Sequence, residues 1–295
     1  MTQLSGLFAA LPTPLREDGG VDLETFDRLV DFVGAAGVDG ICIGGATGEY
    51  PHLEVADRRA TIERAATRLP SSAHLLVGIG ASSMSRVLEL GRVAAGSGAR
   101  VVLLPMPLFY RYDQDDLREY CATIARQLAA PCLLYDLPEF TNPLAVDTAL
   151  GLLDEEPFVV GIKDSSGRAE RLTAFASAAG RSNRTLLVGD DRLLLRGLQA
   201  GWNGGVSGVA ACCPELLVSL LRAVREHRAD DAERLQGEVD EVISHLAPLP
   251  TPWGIRVALA ARAIDTGPLP LPLSARRRKQ ADGLRSWMAT EHPRR

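Results

Sequence analysis

The stretch Phe158-Val159-Val160-Gly161-Ile162-Lys163-Asp164-Ser165-Ser166-Gly167 decides how the chain folds. Its apolar residues stand in a row without polar alternates. Such a run reads as a strand buried on both faces, as in a parallel sheet. It ends on a lysine followed by small polar residues. Seven other short runs resemble it: Gly6–Leu11, Val38–Ile43, His74–Ile79, Arg100–Leu104, Pro131–Tyr135, Thr185–Val188 and Gly204–Gly208. Between them the spacing turns helical. Asp22 can cap a helix whose apolar face holds Phe26, Leu29, Val30 and Val33 and which stops at Gly37. Leu53–Leu69, Ser85–Ala95 and Gln114–Ala129 read the same way. Strands alternating with helices form βαβ units. Eight such units predict an α/β protein of the (β/α)8 TIM-barrel class. The open-sheet fingerprint G-x-G-x-x-G does not follow the first strand.

Residues 1–212 would form the barrel and its active site. Residues 213–295 would form a C-terminal helical extension packed on it, with on the order of three or four helices. Pro268–Pro272 reads as a rigid connector between the last two of them. The chain has 295 residues, 32 basic and 37 acidic, for a formal charge of −5. At 46 % hydrophobic and 23 % charged residues it is a folded globular protein rather than a disordered one. The acidic balance argues against nucleic acid as a partner. The uncharged stretch Gly197–Pro214 holds five glycines and a proline, which makes a poor membrane span, so no membrane partner is expected. No basic residue precedes the first apolar run, unlike a secretory signal. Cys42, Cys121, Cys132, Cys212 and Cys213 are odd in number and show no C-x-x-C spacing, which predicts reduced core thiols in a cytoplasmic protein. No Cys/His cluster has metal-ligand spacing, and Asp190-Asp191 is half a metal site at most, so no metal is expected.

A barrel places its active site at the C-terminal ends of the strands. Lys163 ends the sixth. All but two of the 32 basic residues are arginine, the other lysine being Lys279. A lysine that escapes this bias raises the question of what arginine could not do there. Arginine stays protonated, whereas an amine can release its proton and attack a ketone carbonyl. The second strand ends in Gly44-Gly45-Ala46-Thr47-Gly48-Glu49, where small residues let backbone N–H groups approach an anion and Thr47 adds a hydroxyl. Glu49 is expected to cap backbone donors of that turn. Tyr135 ends the fifth strand, and its hydroxyl can pass protons if it faces Lys163. Asp190-Asp191 and Ser207-Gly208 end the seventh and eighth strands.

Together these residues resemble the pyruvate-dependent aldolase family of dihydrodipicolinate synthase and N-acetylneuraminate lyase. The likeness runs from Ala10-Leu11-Pro12-Thr13-Pro14 through Gly45–Glu49, Tyr135-Asp136-Leu137-Pro138 and Gly161-Ile162-Lys163-Asp164 to Gly205-Val206-Ser207-Gly208. It implies a covalent imine between Lys163 and pyruvate or another 2-oxo acid, with no separate cofactor. It also implies a proton relay through Tyr135 with Thr47, and a homotetramer built as a dimer of dimers. Ala46, Thr47, Ser165, Asp191 and Val206 would hold substrate. Tyr110 would match the strand-four tyrosine that such enzymes exchange across a dimer.

The departures point to the substrate. Ala46 lacks the hydroxyl that the family often carries there. Phe140 stands where dihydrodipicolinate synthases carry an arginine that grips the second substrate. Gly208 falls where sialic acid lyases profit from a serine. Gly161–Gly167 looks most like the 2-keto-3-deoxy sugar acid aldolases, and Gly48-Glu49-Tyr50-Pro51 resembles the 4-hydroxy-2-oxoglutarate aldolases. The expected activity is therefore reversible cleavage of a 2-oxo-4-hydroxy acid to pyruvate and an aldehyde. The alternatives are 4-hydroxy-tetrahydrodipicolinate synthase, 4-hydroxy-2-oxoglutarate aldolase and a non-catalytic 2-oxo acid sensor.

Overall fold

A computed structural model describes residues 3–179 and 184–290. Eight parallel strands close a barrel in chain order: β1 (Gly6–Ala10), β2 (Gly40–Ile43), β3 (His74–Gly78), β4 (Val101–Pro105), β5 (Cys132–Asp136), β6 (Val159–Asp164), β7 (Thr185–Val188) and β8 (Gly204–Ser207), which pairs back with β1. Each lies within two residues of its expected place. Around them run α1 (Leu23–Ala35), α2 (Val55–Arg68), α3 (Met84–Gly96), α4 (Gln114–Leu128), α5 (Val146–Glu155), α6 (Ala169–Ala179) and the short α7 (Leu194–Gln199). After β8 come α8 (Val209–Cys212), α9 (Pro214–Arg225), α10 (Ala229–Leu246), α11 (Trp253–Ala261) and α12 (Ala275–Thr290). Pro268–Pro272 lies between α11 and α12.

Local chemistry explains the helix starts. The Asp22 carboxylate accepts hydrogen bonds from the amides of Glu24 and Thr25, and Phe26, Leu29, Val30 and Val33 are buried on the inner face of α1. A reciprocal box between Asp113 and Asp116 opens α4. The five cysteines are free and buried. Among the described residues no helix is long and apolar enough to cross a membrane.

Side chains alternate between two cores. Phe8, Ala10, Cys42, Leu76, Leu103, Leu133, Leu187 and Val206 fill the barrel interior. Leu7, Ala9, Ile41, Val77, Leu104, Leu134, Ile162 and Leu186 pack outward against the helices. That outer cluster extends without a break from Leu7 to Met288, across position 212.

One strand breaks the alternation. Cys132 pairs with Val159, but the next residue, Leu133, pairs with Gly161, leaving Val160 as an extra residue in β6. Val159 and Ile162 face the helices, whereas Val160 packs on the interior cluster. Strict alternation from Val159 would send Lys163 outward to the helices. The bulge turns it inward, opposite Tyr135 in the register.

Next to the bulge, β6 lies hard against β7 at Gly161. A Cβ there would overlap the Thr185 carbonyl oxygen and lie 2.8 Å from a Leu133 methyl. Gly161→Ala should lower the urea midpoint by an amount equivalent to about 1–3 kcal/mol, the usual cost of forcing a methyl into a packed core. An unchanged midpoint would show that β6 can shift to admit it.

Candidate active site

Lys163 and Tyr135 end neighbouring strands and share the barrel mouth. Only 4 % of Lys163 and 2 % of Tyr135 is exposed. The Lys163 ammonium nitrogen stands 4.1 Å from the centroid of the Tyr135 ring. Around them is a cavity of about 270 Å³. Ala46 and Thr47 line it from the loop after β2, Ser165 from the end of β6, Asp191 from the loop after β7 and Val206 from β8. Seven of the eight expected site residues thus converge. Tyr110 does not line this cavity. It is 66 % exposed in the loop after β4, edge-to-face with Phe109, which is 91 % exposed.

Two close approaches shape the cavity. A Cβ at Gly189 would overlap Ser165 Oγ and lie 2.9 Å from Lys163 Cε, so the glycine leaves room for both side chains. At Gly208 a Cβ would stand 3.0 Å from Ile255 Cδ1 and 3.7 Å from Thr47 Oγ1, so the glycine lets α11 and the loop after β2 approach one another at the cavity.

The loop after β2 is fixed from within and from a distance. Glu49 adopts a left-handed backbone, and its amide donates to the Ala46 carbonyl at 2.9 Å. Thr13 Oγ1 donates to the Gly48 carbonyl at 2.8 Å. The Glu49 side chain does not cap the turn's donors. Its Oε2 instead accepts a hydrogen bond from Arg256 Nη1 of α11 at 2.8 Å, and both side chains are buried. Arg256 also donates to Thr266 Oγ1 and to the carbonyls of Thr266 and Pro268. A buried charge needs such complete pairing, because water is not there to supply it.

The sequence did not disclose the outer wall. Ile243, Leu246 and Leu249 through Pro252, with Ile255, close the cavity from the C-terminal extension. Glu139, Phe140, Asp190 and Arg192 also line it. Arg192 directly follows the acidic pair at the end of β7, a signal that was available in the chain. A second cavity of about 810 Å³ lies beyond Ala46, Leu137 and Phe140, which line both. Tyr50 and Arg58 line the second, with the guanidinium 5.2 Å from the Tyr50 ring centroid. Burial, with Tyr135 close by, pushes the Tyr50 phenol up to about 12. Among the described residues no three His, Cys, Asp or Glu side chains gather into a metal site.

Known proteins share this chain's sequence pattern and fold. The model of the dihydrodipicolinate synthetase family matches residues 3–289. The chain is 32 % identical to a 4-hydroxy-tetrahydrodipicolinate synthase of Sorangium cellulosum, over 96 % of this chain and 95 % of that one. It is 32 % identical to an uncharacterized DapA-like lyase of Halobacterium salinarum, over 92 % and 88 %. The dihydrodipicolinate synthase structure from Aquifex aeolicus superposes with a TM-score of 0.90 at 26 % identity, covering 98 % of each chain. A sialic acid aldolase of Ruminococcus gnavus shares the fold, with a TM-score of 0.88 at 20 % identity and 98 % coverage of each chain.

Asp191 is the site's unusual carboxylate. Its Oδ2 accepts the Val209 amide at 3.1 Å. Burial pushes its carboxyl up to about 6 from 3.8, against the pull of the Ser207 hydroxyl, the Val209 amide and Lys163. The folded chain therefore holds a proton between those values that the unfolded chain has released. Stability falls as pH rises through that window. Asp191→Asn keeps an acceptor for Val209. Its melting temperature should exceed that of the wild type near pH 7.5, and the gain should vanish near pH 4. A less stable variant at the higher pH would show that the ionised carboxylate is favourable there.

Proposed function

The chain belongs to the dihydrodipicolinate synthetase family, and from that premise we propose that it is a class I carbon–carbon lyase cleaving a 2-oxo-4-hydroxy acid, of the 2-keto-3-deoxy sugar acid type, to pyruvate and an aldehyde. The observation that carries this reading is the buried amine of Lys163 held against the Tyr135 ring inside one cavity. Lys163 attacks C2 of the oxo acid, and loss of water leaves an iminium ion. Tyr135 with Thr47 takes the proton of the C4 hydroxyl. The C3–C4 bond breaks, its electrons pass to the imine nitrogen, and the aldehyde departs from an enamine. Protonation at C3 and hydrolysis release pyruvate and restore the amine. The iminium ion is the electron sink, so these steps call on no separate cofactor.

The rim supports a neutral, hydroxylated aldehyde. Phe140 offers no cation where the resemblance puts one, while Glu139, Asp190, Ser165 and Arg192 line the cavity with hydrogen-bond donors and acceptors. The second reading is 4-hydroxy-tetrahydrodipicolinate synthase, the name borne by the relatives in Sorangium cellulosum and Bartonella bacilliformis. Phe140 weighs against it. The same proposal makes the enzyme a cytoplasmic homotetramer. The exposed rings of Phe109, Tyr110 and Tyr112 support assembly, since another copy would cover them and could receive Tyr110 at its site.

Lys163→Arg tests the chemistry. Pyruvate with borohydride should add one reduced pyruvyl group to the wild-type peptide containing Lys163, and none to the variant, whose activity should be lost. Lys279→Arg should change nothing. Activity in Lys163→Arg, or an adduct on Lys279 alone, would overturn the mechanism.

Acceptor preference tests the substrate. kcat/KM for pyruvate condensation should favour glyceraldehyde over aspartate semialdehyde by about tenfold or more, the worth of one missing charge-assisted hydrogen bond. A preference for the semialdehyde would select the synthase reading.

A further inference from the structure

We propose that Arg171 is a positioning residue that sets the placement of Tyr135 against Lys163 by clamping the ends of β5 and β6 from behind; the proposal rests on the imine reading above. Tyr135 pairs with Lys163, and one residue on, Asp136 pairs with Asp164. Adjacent strand residues face opposite ways, so the first pair looks into the barrel and the second toward α6. Arg171, in the first turn of α6, reaches both carboxylates. Its Nε donates to Asp164 Oδ2 at 2.6 Å and its Nη2 to Asp136 Oδ2 at 2.7 Å. Its Nη1 donates to the Leu144 carbonyl at 3.0 Å.

The remaining carboxylate oxygens are also engaged. Asp136 Oδ1 accepts the Leu144 amide at 3.1 Å, and Asp164 Oδ1 accepts the Ser166 amide at 2.8 Å. Exposure is 1 % for Asp136, 6 % for Asp164 and 5 % for Arg171. The guanidinium carbon lies 5.3 Å from the Phe175 ring centroid.

Two buried carboxylates side by side on neighbouring strand ends repel each other. Burial pushes the Asp136 carboxyl up to about 6, and the Asp164 charge adds to the push. A guanidinium fork satisfies both with separate donors, which a lysine ammonium cannot match in geometry. Hydrophobic replacement of a buried ion triad often preserves stability. Its position one residue beyond both reacting side chains links this triad to the chemistry. Any slip of β5 against β6 changes the 4.1 Å separation between amine and phenol ring. With saturating pyruvate and time, water can supply the protons that turn the carbinolamine hydroxyl into a leaving water, so the final imine yield tolerates a misplaced phenol, whereas the rate of proton transfer from the C4 hydroxyl needs the phenol in register with the amine.

Asp164→Asn, Arg171→Lys and Arg171→Met in the full chain test this. Borohydride with saturating pyruvate should still modify Lys163 to a full equivalent in each variant that unfolds cooperatively. The pyruvate KM should stay within about threefold, while kcat falls roughly 10–100-fold, the cost of misplacing a reacting group by an ångström or less. Arg171→Lys should retain more activity than Arg171→Met. If Arg171→Met fails to fold, Asp164→Asn, which keeps the side chain's size, carries the test. Folded Asp164→Asn and Arg171→Lys with wild-type kcat would overturn the proposal. So would kcat and adduct yield falling together, which is the mark of lost folded protein. No adduct in the wild type would overturn the imine reading itself and the clamp with it.

Discussion

One extra residue in β6 decides which way the buried lysine points. Without Val160 as a bulge, strict alternation from the outward Val159 would carry the side chain at 163 to the helix side, away from the face that Tyr135 presents. The residue after the bulge is Gly161, where β7 passes too close for a side chain. The Tyr135–Lys163 pairing and the outward Asp136–Asp164 pairing beyond it follow from this local shift. The reactive face of the barrel is therefore a property of the backbone before it is one of side-chain chemistry.

The architecture was readable because parallel strands buried on both faces leave unbroken apolar runs, and glycines and caps mark where helices begin and stop. The same unbroken runs hide a bulge. Where every residue is apolar, no alternation exists whose interruption could be seen, so Val160 was invisible. Lys163 stood out because the chain otherwise uses arginine. That bias has a second edge: it conceals Arg171 and Arg256, which are buried among many arginines that are not. Glu49 was expected to satisfy its own turn because that is the nearest set of donors. A partner from α11 won instead, since a buried carboxylate is better served by a charged guanidinium than by neutral amides.

The site joins three kinds of support. Strand ends supply Lys163 and Tyr135, the groups to which the proposed mechanism assigns the chemistry. Buried ion pairs, Arg171 with two aspartates and Arg256 with Glu49, hold the loops behind and beside them. The extension supplies an apolar outer wall through Leu246, Leu249 and Ile255. Water is thereby limited around the amine, which strengthens the electrostatic contacts within the cavity.

That outer wall has a consequence for how the enzyme comes into being. The amine, the tyrosine and the threonine are all synthesised by residue 163, yet the carboxylate at position 49 meets its cation 207 residues later. Barrel closure also waits for β8 to return to β1. A nascent chain that has emerged through β7 holds each side chain of the proposed mechanism but no enclosed pocket. Competence arrives late and all at once, when the last fifth of the polypeptide leaves the ribosome and docks, so a shortened product of translation carries the reactive groups without the chamber they work in.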